Sequence, residues 1–195
     1  MMNLNALKVD PEFQGKIPPL TFEELNQLEA NILRDGRIIN PIIVWEGLIV
    51  DGHNRFIIAK KHPEIPYTVH ETEFANRYEA IIWICKNQLG RRNLSPEQKR
   101  YLLGKQYESE KKAEKIFHGN QYTLAKKSGG SHDDTHHSGK KTCDRIAEEN
   151  GVSRASVLRA RHYTKGVDIA DTDIPSPRKT AILFNWMTSS SENTL

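Results

Sequence analysis

At 195 residues the chain can bury one solid core or two small ones, and its composition is neither fibrous nor membrane-bound. No apolar run approaches the roughly 18 residues that cross a bilayer. The N-terminus lacks the charged-then-apolar order of a signal peptide, and Cys85 and Cys143 have no partner at metal-ligand spacing, which points to a reducing cytoplasm.

Net charge is only +3, but it is unevenly spread. Residues 1–85 carry 8 Lys and Arg against 12 Asp and Glu, residues 86–115 carry 9 against 4, and residues 140–165 carry 7 against 3. An acidic front followed by two basic blocks is the asymmetry expected where the back half meets a polyanion; ordinary solvated helix faces give the same pattern.

Thr21-Phe22-Glu23-Glu24 opens a helix as a capping box, Leu25, Leu28, Ile32 and Leu33 recur at helical spacing, and Gly36 ends it. Pro41 to Trp45 and Leu48 to Val50, split by Glu46-Gly47, read as a hairpin. Phe56 to Ala59 forms a short helix, Ile65 to Val69 an edge strand bounded by prolines, and Ala75 to Asn87 a mostly buried helix. Ser95-Pro96-Glu97-Gln98 combines a Ser N-cap, Pro at the first helical position and a box Gln, and starts a helix running to about Ile116. Trp45, Trp83 and Trp186 are read as core or docking residues, because no basic residues alternate with them to make a base-stacking platform. There are no internal repeats.

Three stretches carry chemistry. In Asp51-Gly52-His53-Asn54-Arg55 a strand passes through a glycine turn into a helix start, where free N–H groups and an Arg fork can receive a phosphate, although most such turns are only turns. Asn87-Gln88-Leu89-Gly90-Arg91-Arg92 sets amides and guanidiniums ahead of a strongly capped helix, a second anion-friendly loop or a plain polar one. Residues 142–163 fit a helix-turn-helix: Thr142 caps the first helix, Asn150-Gly151-Val152 turns, and Ser153 caps the second. Ser153, Arg154, Ser156, Arg159 and Arg161, with His162, then face outward as DNA-contacting residues. His132-Asp133-Asp134-Thr135-His136-His137 contains ligand-type side chains, with His132 and His136 the candidate pair. The Gly and Ser around it offer no rigid support, so no metal site is assigned.

Together these stretches resemble the ParB-like family of partition and ParB-like nuclease-domain proteins, which share a fold with sulfiredoxin. The resemblance covers roughly residues 15–165. It runs from Ile17-Pro18-Pro19-Leu20-Thr21 with Glu24 and Leu25, through Gly36-Arg37-Ile38-Ile39-Asn40-Pro41-Ile42-Ile43-Val44 and the Asp51–Arg55 turn, to the Asn87–Pro96 stretch and the helix-turn-helix. Partition proteins bind nucleotide phosphates with a Gly-Glu-Arg-Arg box. Gly52 and Arg55 match its ends, while His53 and Asn54 replace the acid and the first Arg. In the second family box Arg91 and Leu94 match, Gln88 replaces an Asn, and Asn87 stands where the family places a Glu that helps manage the metal-bound triphosphate. An amide is a poor base and a weak Mg²⁺ ligand, so the resemblance implies a site that binds phosphate better than it cleaves it. Sulfiredoxin chemistry is set aside, because His53 occupies the position of its reactive Cys.

The expected fold is α/β (α+β): a small mixed-sheet ParB/sulfiredoxin-like domain over residues 15–90, then an all-α helix-turn-helix domain over 91–165 with a flexible loop at 118–140, and a tail over 166–195. The resemblance implies a double-stranded DNA-binding homodimer of partition or mobile-element type with a switch domain that binds CTP or ATP with Mg²⁺ through Gly52, His53, Asn54, Arg55, Gln88, Arg91 and Arg92. Its rivals are a ParB-fold kinase or nuclease, with Asp51 and His53 as catalytic candidates, and a plain helix-turn-helix regulator.

Overall fold

The computed structural model describes residues 4–91, 93–125 and 141–173, with side chains described to 116 in the second span and to 169 in the third. The loop histidines and acids, Arg92 and the tail patch with Trp186 therefore lie outside the described residues. A mixed four-stranded sheet has the order β1–β3–β2–β4. β1 (Lys8–Val9) runs parallel to β3 (Leu48–Asp51), β3 antiparallel to β2 (Ile42–Trp45), and β2 parallel to β4 (Val69–Glu71). Among the described residues seven helices surround or follow it: α1 (Pro11–Gln14), α2 (Phe22–Asp35), α3 (His53–Lys61), α4 (Arg77–Leu89), α5 (Pro96–Ala125), α6 (Thr142–Glu149) and α7 (Arg154–Asp173), with a 3₁₀ turn at Leu4–Ala6.

Several local signals act as their chemistry dictates. Thr21 Oγ1 accepts from the Glu24 amide at 3.2 Å while Glu24 accepts from the Thr21 amide at 2.8 Å, and Ser95 and Gln98 make the same reciprocal pair at 3.2 and 2.9 Å. In the hairpin turn Glu46 and Gly47 both adopt positive φ, +48° and +77°, the twist that joins two antiparallel strands through two residues. Other boundaries differ from the sequence reading. The expected 65–69 strand pairs only from Val69 onward, because Pro66 has no N–H to give; ahead of it the Pro66 and Thr68 carbonyls accept from Ile38 and Ile42 as isolated bonds. The α4 boundary moves to Arg77, where Asn76 Oδ1 caps the Tyr78 and Glu79 amides. Continuation of α5 to Ala125 makes 118–125 helical rather than loop: no proline intervenes, and Gly119 alone costs only about 1 kcal/mol.

The sheet is covered on both faces. Ile42, Val44 and Ile49 pack with Leu7 and Phe56 of α3; beyond them Ile58 and Ala59 pack with Ile32 of α2. On the other face Val50 packs with Phe13, with Ala80, Ile81, Ile84 and Cys85 of α4, and with Leu102 of α5. Trp45 and Trp83 belong to this face as half-buried residues in an aromatic row with Phe13 and Phe74, tilted at Phe13–Trp45 and edge-on at the next two pairs, consistent with the core-or-docking reading. Leu103 and Tyr107 of α5 start a further core with Cys143, Ile146 and Ala147 of α6 and Val157 and Ala160 of α7, so one helix serves both cores. No described helix is long and apolar enough to cross a membrane.

The α5–α7 crossing depends on Gly104. A Cβ there would overlap Thr164 Oγ1 and the Ala160 carbonyl, and Thr164, fully buried, donates to the Tyr101 carbonyl at 3.0 Å. Gly104→Ala is therefore expected to lower the unfolding free energy by about 1–3 kcal/mol. Gly166→Ala, in the same helix pair but facing open space, is expected to raise it by about 0.4–1 kcal/mol. Urea titrations of the two variants check both signs.

Candidate anion site and nucleic-acid interface

The first candidate site is made by an irregularity in the hairpin. Val44 faces Ile49 but Ile43 faces Asp51, so Val50 is the extra residue of a β-bulge. Strand alternation would send Asp51 to the α3 face along with Ile49. The bulge puts Val50 and Asp51 on the α4 face together, opposite Ile43, which also packs there. Gly52 follows at φ +93° and opens α3, placing His53, Asn54 and Arg55 in its first turn.

Asp51 thereby meets residues from two parts of the chain. Arg55 Nη2 donates to Asp51 Oδ2 at 2.8 Å and to the Pro41 carbonyl at 3.0 Å, and Arg91 Nη2 reaches Asp51 Oδ1 at 3.3 Å. The guanidinium of Arg55 lies against Gly52, where a Cβ would stand 2.9 Å from Nη2 and 3.1 Å from Nε. Among the described residues, the buried side-chain polar atoms with no hydrogen-bond partner are His53 Nδ1 and Nε2, Arg55 Nε and Gln88 Oε1. His53 is 4% exposed and Gln88 1%. Buried polar groups are nearly always paired, and an orphan costs roughly 1–3 kcal/mol. All four orphaned atoms fall on three of the residues singled out from the sequence.

The structure brings Gly52, His53 and Arg55 together at the helix start and joins Arg91 to them through Asp51. Gln88 sits on the buried face of α4, Asn54 is half-buried, and Asn87 is exposed. Sequence reasoning missed the part played by the Pro41 carbonyl and the bridging role of Asp51; the signal available was the i,i+4 spacing of Asp51 and Arg55. For Mg²⁺ the fit is poor: no group of three or more His, Cys, Asp or Glu among the described residues could hold a metal, so an ion would have to arrive with the phosphates. Cys85 is fully buried and burial pushes its thiol up to about 12, far from a reactive thiolate. Two open grooves of about 390 and 450 Å³ lie along α4 instead, with the Arg145–Glu110 and Lys86–Glu149 ion pairs in their walls. The orphaned polar atoms mark the chemistry better than these grooves do.

Residues 142–163 form two helices around Gly151 at φ +62°. Thr142 is not the cap: Lys141 is, and the Thr142 hydroxyl, one position inside the helix, donates to Glu114 Oε1 at 2.5 Å, fastening α6 to α5. Ser153 Oγ accepts from the Ser156 amide at 3.1 Å, so Ser153 is spent on capping, and half-buried Ser156 takes a bond from Arg159 at 3.2 Å. Arg154, Arg159 and His162 are exposed. Arg161 is not outward: it is half-buried, its guanidinium 5.7 Å from the Tyr107 ring centroid. α7 continues past the expected end near 163 to Asp173, with Thr164 buried against α5 and Asp168 taking bonds from Tyr101 and Lys105 of α5.

The chain overlays on two structures of the pNOB8-like ParB N-domain, one of them in a C2221 crystal form, with TM-scores of 0.57 and 0.55 and sequence identities of 19% and 20%. Each match covers 82% of this chain, which in turn covers 66% and 62% of those chains. The fold is that of a ParB N-domain. Neither a family model nor a curated protein matches the sequence, so the likeness is one of fold, at low identity. The mixed sheet with its helices, expected for a ParB-like chain, is present.

Burial pushes His53 down from 6.5 to about 4, ahead of the opposing pull of Asp51 and the push of Arg55, so its ring is neutral at pH 7. Between pH 6.5 and about 4 the unfolded chain binds the proton that folded His53 refuses, and stability is lost as pH falls through that window. His53→Gln is expected to flatten this part of the profile. Urea midpoints of both proteins across pH 4–7 measure it, and parallel profiles would contradict the assignment.

Proposed function

We propose that the chain is a ParB-like DNA-binding protein of partition or mobile-element type whose N-terminal domain binds a nucleotide, CTP or ATP, through its phosphates. The observation that supports this reading best is the set of orphaned polar atoms on His53 and Arg55 in the first turn of α3, beside the Arg55–Asp51–Arg91 bridge, with a further orphan on Gln88 of α4. A helix N-terminus with its first amides free, a guanidinium fixed by a backbone carbonyl and a glycine that lets the backbone come close form a phosphate-binding arrangement. In it Arg55 holds charge, Arg91 reaches in from the solvent side, and the neutral His53 ring offers one donor and one acceptor.

The α6–α7 pair supplies the DNA half of the proposal. Arg154, Arg159 and His162 on the exposed face of α7 can reach phosphates and base edges, and a homodimer would read two half-sites. With Asn87 exposed and no acid beside it in the box, the site is read as a binding switch with little hydrolysis. Both oxygens of Asp51 face guanidiniums, which leaves a kinase or nuclease without a free base there; His53 remains the candidate for such chemistry.

Isothermal titration of CTP and ATP tests the nucleotide half. Saturable binding, weakened at least tenfold in Arg55→Ala, is expected, since that variant removes the guanidinium anchored to the Pro41 carbonyl. Turnover of the bound nucleotide would favour the enzyme reading, and absence of binding the plain regulator. For the DNA half, Arg159→Ala is expected to weaken binding and to lower the slope of log K against log salt by about 1. An unchanged slope would remove α7 from the interface.

A further inference from the structure

We infer that Asp51 is a built-in competitor for the anion site, a carboxylate that occupies the two guanidiniums a phosphate would take, so that only a ligand carrying more than one negative charge displaces it. The inference rests on the phosphate reading above and adds to it a ligand class, polyphosphates, and a gate.

The two arginines are held unequally. Arg55, 21% exposed along its side chain, is anchored twice by Nη2, to Asp51 Oδ2 at 2.8 Å and to the Pro41 carbonyl at 3.0 Å. Arg91 is 47% exposed and keeps a single longer contact of 3.3 Å to Oδ1. Arg91 is therefore the arm that swings, and Arg55 the fixed half of the fork. Nε of Arg55 is buried with no partner and lies against the space that the missing side chain of Gly52 leaves. Arg55 thus has donor capacity that Asp51 does not use.

One carboxylate against two guanidiniums leaves a net single positive charge. A monovalent anion that replaced Asp51 would gain no charge over the group it expels and would leave that carboxylate buried without a partner, since Asp51 is itself only 8% exposed. A di- or triphosphate brings several charges and more acceptor oxygens, enough for the fork, the idle Nε and the α3 amides together. The gate thus discriminates by charge, and it does so without any contact to a base or sugar.

The test uses tripolyphosphate with the full chain in EDTA, so that no metal bridges the carboxylate to the ligand. Asp51→Asn, nearly isosteric and uncharged, is expected to bind tripolyphosphate at least tenfold more tightly than the wild type and to gain measurable affinity for inorganic phosphate. Arg91→Gln is expected to bind more weakly than the wild type, and the double variant to lose most of the gain. In wild-type protein carrying ¹³C-labelled aspartate, the Asp51 carboxyl resonance is expected to move as tripolyphosphate saturates the site, a readout that does not depend on how well any variant folds. Equal or weaker binding by Asp51→Asn, or an unmoved Asp51 resonance in a saturated wild type, overturns the gate while leaving the phosphate site standing. Binding by neither protein overturns the phosphate reading and the gate with it.

Discussion

The bulge at Val50 is the constraint on which the candidate site depends. A strand has a period of two, so moving one residue to the opposite face requires a one-residue irregularity. Here it moves Asp51, and with it the charge that gathers Arg55 from the next turn of chain and Arg91 from forty residues away. Without it Asp51 would point among Phe56, Leu7 and Val44, where an unpaired carboxylate could not be tolerated. The fold thus commits a polar group to the α4 face and must surround it with charge, and the candidate site follows from that obligation.

Much of this was readable from the chain because it is encoded locally. Capping boxes at Thr21 and Ser95, the hairpin across Glu46-Gly47 and the glycine ahead of His53 are short-range signals with one cheap structural solution each. The errors have a common cause in tertiary contact. Arg161 looked outward by spacing yet lies over Tyr107, a residue of another helix, and Thr142 has the chemistry of a cap but spends its hydroxyl on Glu114. Helical periodicity does not say which neighbour a face will meet. The bulge left no mark in Leu48-Ile49-Val50-Asp51, which reads as an ordinary strand end; the i,i+4 spacing signals the Asp51–Arg55 pair, but the reach of Asp51 to Arg91 is visible only in three dimensions.

The helix that carries Gln88 into the core also reaches the DNA half of the proposal. Two residues earlier, Lys86 pairs with Glu149 at the end of α6 at 3.0 Å, and Glu149 also accepts from Gln106 of α5 at 3.1 Å. Gln106 is fully buried and shares Glu110 with Arg145 of α6. Between α4 and α6 the polar contact is therefore the Lys86–Glu149 ion pair, the Gln106 and Glu110 contacts belonging to α5, whereas α5 and α7 are locked by close backbone approach at Gly104, by apolar burial and by the bonds of Tyr101 and Lys105 to Asp168.

These two joints differ in what they tolerate. Exposed or half-exposed ion pairs are worth roughly 0–1 kcal/mol each and can exchange partners with little loss, while a closely packed helix crossing has no second arrangement of similar energy. The Lys86–Glu149 contact between α4 and α6 is therefore easier to rearrange than the crossing at Gly104 and Thr164. Because α5 also buries Leu102 against Ala80, Ile81, Ile84 and Cys85 of α4, the helix pair carrying Arg154 and Arg159 is tied to the α/β unit through α5, and the Lys86–Glu149 contact is the softer of its two attachments.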